Sequence, residues 1–201
     1  MAVTKSQPVA AIEYACRFGL SAIGENRVQE AAAKRPESSA TIQWEMIGHL
    51  QSNKARLAVS LFDRIQSVDG MKLARALNRC AGEVGKRMPV SIQVNAGEDP
   101  RKFGVSLEEA QETLEVVLSM SNLRVDGLMT IAPFTGGRSA ARPAFDRLRA
   151  LRDKLQKSAG LDLPVLSMGM TGDLEEAIEA GSTCLRVGMA LFGGRRDKQN
   201  L

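Results

Sequence analysis

The sequence is short of aromatic rings, which make up 4% of its 201 residues, with one tryptophan, one tyrosine and one histidine. Tyr14 and His49 are therefore the sole phenol and imidazole available for acid–base work. Cysteine is scarce too. Cys16, Cys80 and Cys184 are odd in number, far apart and free of any CxxC spacing, which excludes a disulfide framework and points to reduced thiols in the cytoplasm. Long apolar runs are missing, so no membrane-spanning helix is expected. The first residues, Met-Ala-Val-Thr-Lys, carry no basic stretch followed by an apolar one, so no secretory signal is expected either. Charge of one sign is also lacking. The net +4 comes from Lys and Arg interspersed among Asp and Glu, and the Arg195-Arg196 pair is a solvated end; neither suits a nucleic-acid partner.

What is present is an ordinary globular composition, 44% hydrophobic and 25% charged, in a length that suits a single domain over residues 1–201. Short apolar runs alternate with longer amphipathic ones. Strand-like stretches fall at Val3-Thr4, Ala22-Ile23, Ile42–Ile47, Arg64–Val68, Val90–Val94, Val125–Ile131, Val165-Leu166 and Cys184–Val187. Helical patterns lie between them, over about Val9–Phe18, Val28–Lys34, Ser52–Leu61 (Ser52 as N-cap), Met71–Val84, from Ser106 (where Ser106 and Glu109 form a capping box), Arg142–Lys157 and Asp173–Ala180. A short Ala190-Leu191-Phe192 segment follows the last strand. Strands alternating with helices imply a parallel sheet, and eight of them favour a single (β/α)8 TIM barrel over an open sheet.

Such barrels bind ligands where their strands end, in the βα loops. Lys5, Asn26, His49, Asn95, Thr130, the Ser167–Thr171 loop and Arg186–Gly188 all fall on that rim. A lysine there, partly desolvated, can attack an aldehyde; the plainer alternative is a strand-end lysine reaching solvent. Phosphate sites in these barrels commonly use the loops after strands seven and eight. Here Ser167, Gly169 and Thr171 lie in the first loop, with Gly188 and Met189 in the second, offering hydroxyls and approachable backbone N–H groups. Arg186 read alone is equally an arginine paired with a nearby carboxylate. An amine and an anion cradle at one mouth suit a phosphorylated carbonyl ligand held as a Schiff base, and a Schiff-base aldolase acting on a sugar phosphate is one such reading.

The runs Ala2-Val3-Thr4-Lys5, Gly24-Glu25-Asn26-Arg27-Val28-Gln29-Glu30, Ile47-Gly48-His49-Leu50-Gln51-Ser52-Asn53-Lys54, Val94-Asn95 with Lys102 and Gly104, Gly127–Ile131, Leu166–Thr171 and Arg186–Gly188 through Phe192-Gly193 resemble the YggS/PROSC family of pyridoxal phosphate homeostasis proteins. The resemblance covers nearly the whole chain in order. It implies a barrel like that of alanine racemase, an internal aldimine between Lys5 and pyridoxal 5′-phosphate (PLP), and Asn26 beside the cofactor. It further implies that Ser167 and Thr171 with the Gly188 turn hold the phosphate, and that Arg186 faces the pyridine nitrogen. A guanidinium there is a donor only, so it would leave that nitrogen unprotonated and the cofactor a poor electron sink. Members of the family are regarded as PLP carriers or regulators without an established reaction. Together with the composition, this gives the expectation of a cytoplasmic monomer with apo-PLP enzymes as clients, and no metal, membrane or nucleic acid.

The sequence departs from the family pattern at three places. The family's N-terminal helix has no counterpart before Lys5, as a start codon assigned too late would produce; an in-frame stop just before Met1 would rule that out. Glu45 stands after Trp44 where the pattern has His, and Met189 stands where Thr is common, removing a hydroxyl. The competing enzyme reading is an amino-acid racemase, which needs a second base opposite Lys5. Tyr14 is expected on the outer helical ring, which leaves His49 as the candidate.

Overall fold

The computed structural model describes residues 1–133 and 135–193, so the Arg195-Arg196 pair lies outside the described residues. The strands are β1 (Ala2–Val3), β2 (Ala22–Glu25), β3 (Gln43–Met46), β4 (Arg64–Val68), β5 (Met88–Gln93), β6 (Leu123–Met129) and β7 (Val165–Ser167). All pair in parallel in sequence order, each with the next. One helix follows each: α1 (Ala10–Arg17), α2 (Val28–Lys34), α3 (Ala55–Leu61), α4 (Met71–Glu83), α5 (Ala110–Leu118), α6 (Gly137–Ala159) and α7 (Leu174–Glu179). The final element is a single turn of helix, α8 (Met189–Phe192).

The fold is the (β/α) barrel that the alternation predicts, with a weak seam. Segment 184–187 stands between β7 and β1, tied to each by one bridge, Ser167 to Cys184 and Ala2 to Val187. Val3 N–H donates to Val187 O at 2.8 Å, and Val187 N–H to Met1 O at 3.1 Å. The eighth strand expected over Cys184–Val187 thus forms isolated bridges, supported by further backbone bonds: Cys184 N–H to Leu166 O (3.3 Å), Met168 N–H to Cys184 O (3.2 Å) and Arg186 N–H to Gly169 O (2.9 Å) on the β7 side, and the Met1 ammonium to Leu185 O (3.0 Å) on the β1 side.

Helix-facing side chains carry the apolar core. Trp44, Phe62, Phe145 and Ile12 are fully buried, and alanines such as Ala31, Ala58, Ala74 and Ala110 let helices sit close on the sheet. At Gly127 a Cβ would lie 1.9 Å from Val165 O, so the β6–β7 approach admits no side chain.

Local signals held in part. Ser106 and Glu109 form the reciprocal capping box, Glu109 N–H donating to Ser106 Oγ (3.2 Å) and Ser106 N–H to Glu109 Oε2 (2.9 Å). Ser52 does not cap a helix. It opens a 3-10 turn, Ser52–Lys54, that runs straight into α3, and neither Gln51 nor Lys54 makes a side-chain cap bond. Helix α6 begins at Gly137, ahead of Arg142, and continues through Pro143. Its added first turn is held from α7, where Glu175 and Glu176 pair with Arg138 at 2.7 and 3.6 Å.

Candidate functional site

The barrel mouth where the strands end gathers most of the expected residues. Lys5, two positions past β1, is half-buried. A polar clamp that the sequence reading missed fixes the backbone on either side of it. Lys34 of α2 donates to Thr4 O (2.8 Å), Glu25 Oε1 (2.8 Å) and Glu30 Oε1 (2.7 Å). The Thr4 hydroxyl donates to Glu25 Oε1 (2.7 Å), and Ser6 N–H to Glu30 Oε1 (2.5 Å). Ser6 takes a positive φ of 60°, so the turn bearing Lys5 is imposed by these bonds against backbone preference. Burial raises the Glu25 pKa despite the bonds from Lys34 and Thr4. At Glu30 burial is outweighed by Lys34 and the Ser6 N–H, and the carboxyl is held below its ordinary value.

Asn26, half-buried, directly follows the neighbouring strand β2. Gly48 presses against its backbone so closely that a Cβ would lie 2.3 Å from Asn26 O. On the other side of β1, Gly188 lies against Val3, a Cβ there falling 3.3 Å from Val3 O. The barrel therefore places Lys5, Asn26 and the Arg186–Gly188 segment on three adjacent staves. Thr171 Oγ1 accepts from Ala190 N–H (3.3 Å), joining the loop after β7 to α8. Met189 opens α8 with an exposed side chain, leaving its backbone as the part that can face a ligand.

Arg186 and Ser167 lie deeper. Arg186 is buried, with Nη1 donating to Ser167 Oγ (2.7 Å) and Nη2 to Thr130 O (2.8 Å). Burial lowers its pKa, opposed by Cys184 and Asp173. Ser167 is fully buried and its hydroxyl donates inward to Gln66 Oε1 (2.6 Å), so in this structure it serves Arg186 and Gln66. Gln66 Nε2 donates in turn to Glu45 Oε2 (2.6 Å). Gln66 was absent from the sequence reading. The available signal was a polar side chain inside a strand, at a position whose alternation faces the barrel axis.

The other rim residues are held by their loops. Asn95 Nδ2 donates to Asp99 O (2.9 Å), closing the loop after β5. Lys102 donates to Ala132 O, and burial lowers its pKa. His49 sits with Nδ1 2.7 Å from Asp69 Oδ2 and its ring stacked on Phe103 at 3.7 Å. Tyr14 is exposed on α1, on the outer ring. Among the described residues no group of three or more His, Cys, Asp or Glu side chains could hold a metal ion. No described helix is long and apolar enough to cross a membrane.

Fold and site define a parallel (β/α) barrel with an amine, backbone donors and a buried guanidinium assembled around one seam of its mouth. The chain belongs to the alanine racemase, N-terminal domain family, whose model matches residues 1–196. It is 39% identical to the pyridoxal phosphate homeostasis protein of Aquifex aeolicus, over 98% of this chain and 86% of that one. The protein of the same name from Pseudomonas aeruginosa is 41% identical over 97% and 84%. Among solved structures, Synechococcus elongatus PipY with PLP bound superposes with a TM-score of 0.89 at 40% identity, covering 96% of this chain and 91% of that one. Clostridium difficile alanine racemase, at 15% identity and a TM-score of 0.79, covers 96% of this chain and 50% of its own, and shares the fold.

Proposed function

We propose that this protein binds PLP as a Schiff base on Lys5 and acts in intracellular PLP homeostasis as a carrier or regulator. The observation that carries the reading is the convergence at one seam of a lysine just past β1 on a clamped turn, the Gly188 turn against Val3, and the buried Arg186 on the same segment as Gly188. Relatives named for PLP homeostasis, and a PLP-bound structure of similar fold at 40% identity, support it.

The residues present fit this cofactor. Lys5 supplies the amine for its aldehyde. Thr171, with the N–H groups at Gly188 and Met189 that open α8, suits the phosphate, and Ser167 begins the same loop. Asn26 would lie beside the ring, and Arg186 would serve its nitrogen as a donor. When bound, PLP supplies an electrophilic aldehyde and a ring able to accept electrons. A guanidinium donating to the nitrogen would leave it unprotonated and weaken that second capacity. This favours holding the cofactor over turning over amino acids with it. The proposed setting is a cytoplasmic monomer that delivers PLP to apo-enzymes.

Purified protein mixed with PLP should turn yellow, and borohydride should bleach it and fix the adduct to Lys5 on peptide mapping. Lys5→Ala should lose the covalent adduct and keep weak, phosphate-anchored binding. A colourless wild type that binds no PLP, or an adduct on another lysine, contradicts the reading. Incubation with L-alanine separates carrier from racemase: steady, Lys5-dependent formation of the D-enantiomer would establish the racemase instead.

A further inference from the structure

Arg186 is a buried cation that makes no ion pair among the described residues, its two hydrogen bonds going to a hydroxyl and a carbonyl. Such a group is costly to bury and its direction is weakly set unless its neighbours are themselves fixed. Here they are fixed by a chain whose polarity is forced from both ends. A guanidinium only donates, so Ser167 Oγ accepts from Nη1 at 2.7 Å. The hydroxyl proton then points to Gln66 Oε1 at 2.6 Å. With its carbonyl so used, Gln66 turns Nε2 to Glu45 Oε2 at 2.6 Å, and an ionised carboxylate only accepts. Turning the Gln66 amide over would set an N–H against the Ser167 proton and a carbonyl against the Glu45 oxygen. No link can reverse alone.

We infer that Gln66, with Glu45 behind it, is a positioning residue that sets the direction of the Arg186 guanidinium from inside the barrel. Gln66 is on β4 and fully buried, while Ser167 is at the end of β7, so the bond crosses the barrel interior and ties the seam side to the far wall. Glu45 is also where the sequence leaves the family pattern, so this support belongs to this chain's own residues. Burial raises the Glu45 pKa, and Arg64, 3.9 Å from Glu45 Oε1, opposes that rise together with the Gln66 bond. The inference takes from the proposed function only that Arg186 faces the cofactor ring; the orienting itself is a property of the cofactor-free protein.

The test uses Gln66→Leu, which keeps size and removes both bonds, and Ser167→Ala, which breaks the chain one link nearer Arg186. In cofactor-free protein, NMR exchange of the Arg186 guanidinium protons should quicken about tenfold or more in either variant, the order expected for losing a hydrogen bond to a charged donor. With PLP added, the pH profile of the visible absorbance should shift in both. The PLP affinity of Gln66→Leu should change by less than about threefold, because Lys5 and the Gly188 turn are untouched. Wild-type exchange and a wild-type absorbance profile in whichever variant folds would overturn the inference. A wild type that stays colourless with PLP would sink the proposed function, while the exchange arm would still decide the role of Gln66.

Discussion

Lys34 carries three acceptors on one ammonium: Thr4 O and Glu30, which takes the Ser6 N–H, fix the backbone on either side of Lys5, and Glu25 is the third. Its side chain is 10% exposed and that of Glu25 is fully buried. Lys34→Met would therefore strand a buried carboxylate whose pKa burial already raises, costing about 3 kcal/mol. Adding Glu25→Leu should recover part of that loss, since an apolar pair replaces a broken ionic one. Urea denaturation of the two variants checks this; a double variant no more stable than the single one would show that the clamp is not an ionic unit.

Glu45 gives a pH signature of the opposite kind to a surface carboxylate. Burial lifts its pKa above 4.5; the Gln66 bond and Arg64 pull it down, as does the N-terminal amine, and Asp126 adds to the rise. The folded state thus binds this proton more tightly than the unfolded chain. Its contribution to stability is full below 4.5 and is lost as pH rises through the folded value. Wild type should gain stability relative to Glu45→Gln as pH falls from about 7 towards 4.5, each kcal/mol appearing as about 3 °C in Tm. Parallel Tm profiles would mean that Glu45 titrates as though exposed. Legibility at this scale was uneven. Lys5 and Arg186 stood out because strand ends are where chemistry sits. Gln66 and Lys34 did not, because their roles depend on partners 101 and 30 residues away.

Among the elements, helix periodicity located α1 to α7, with α8 read only as a short segment, while the start signals misled where tertiary contacts competed. Two serines make the contrast measurable. Ser106 exchanges bonds with Glu109 at the entrance to α5, so Ser106→Ala should cost about 1 kcal/mol. Ser52 carries the same residue type before a similar apolar pattern but opens a 3-10 turn without a cap bond, so Ser52→Ala should stay within about 0.5 kcal/mol. Equal losses in thermal melts would return Ser52 to the capping role its sequence suggests. For α6, Pro143 in the next position reads as a helix start at Arg142. The helix begins earlier because Arg138 finds Glu175 and Glu176 on α7, partners that no local pattern announces.

For the whole molecule, the alternation of short apolar and long amphipathic stretches made the barrel legible, but not the strength of its closure. A two-residue β1 and the run Cys184–Val187 look like strands of the same kind as β5 and β6. Yet β5 and β6 share a ladder from Met88–Leu123 to Gln93–Met129, whereas the seam has one isolated bridge and a short run of backbone bonds on each side. The pairing on its β1 side is shorter than that of β5 with β6, so the amides of Val3 and Val187 should exchange with solvent before those of β5 and β6. The proposed cofactor would span this seam, covalent to Lys5 on one side and held by Arg186 and the Gly188 turn on the other. Opening would then require releasing the ligand. PLP at a hundred times its dissociation constant should oppose it by about 2.7 kcal/mol, slowing Val3 and Val187 exchange roughly a hundredfold. In β5 and β6, amides that already exchange by small local fluctuations should hardly respond. Hydrogen exchange with and without PLP measures both. Seam amides indifferent to saturating cofactor in visibly yellow protein would place the ligand on one side of the seam only.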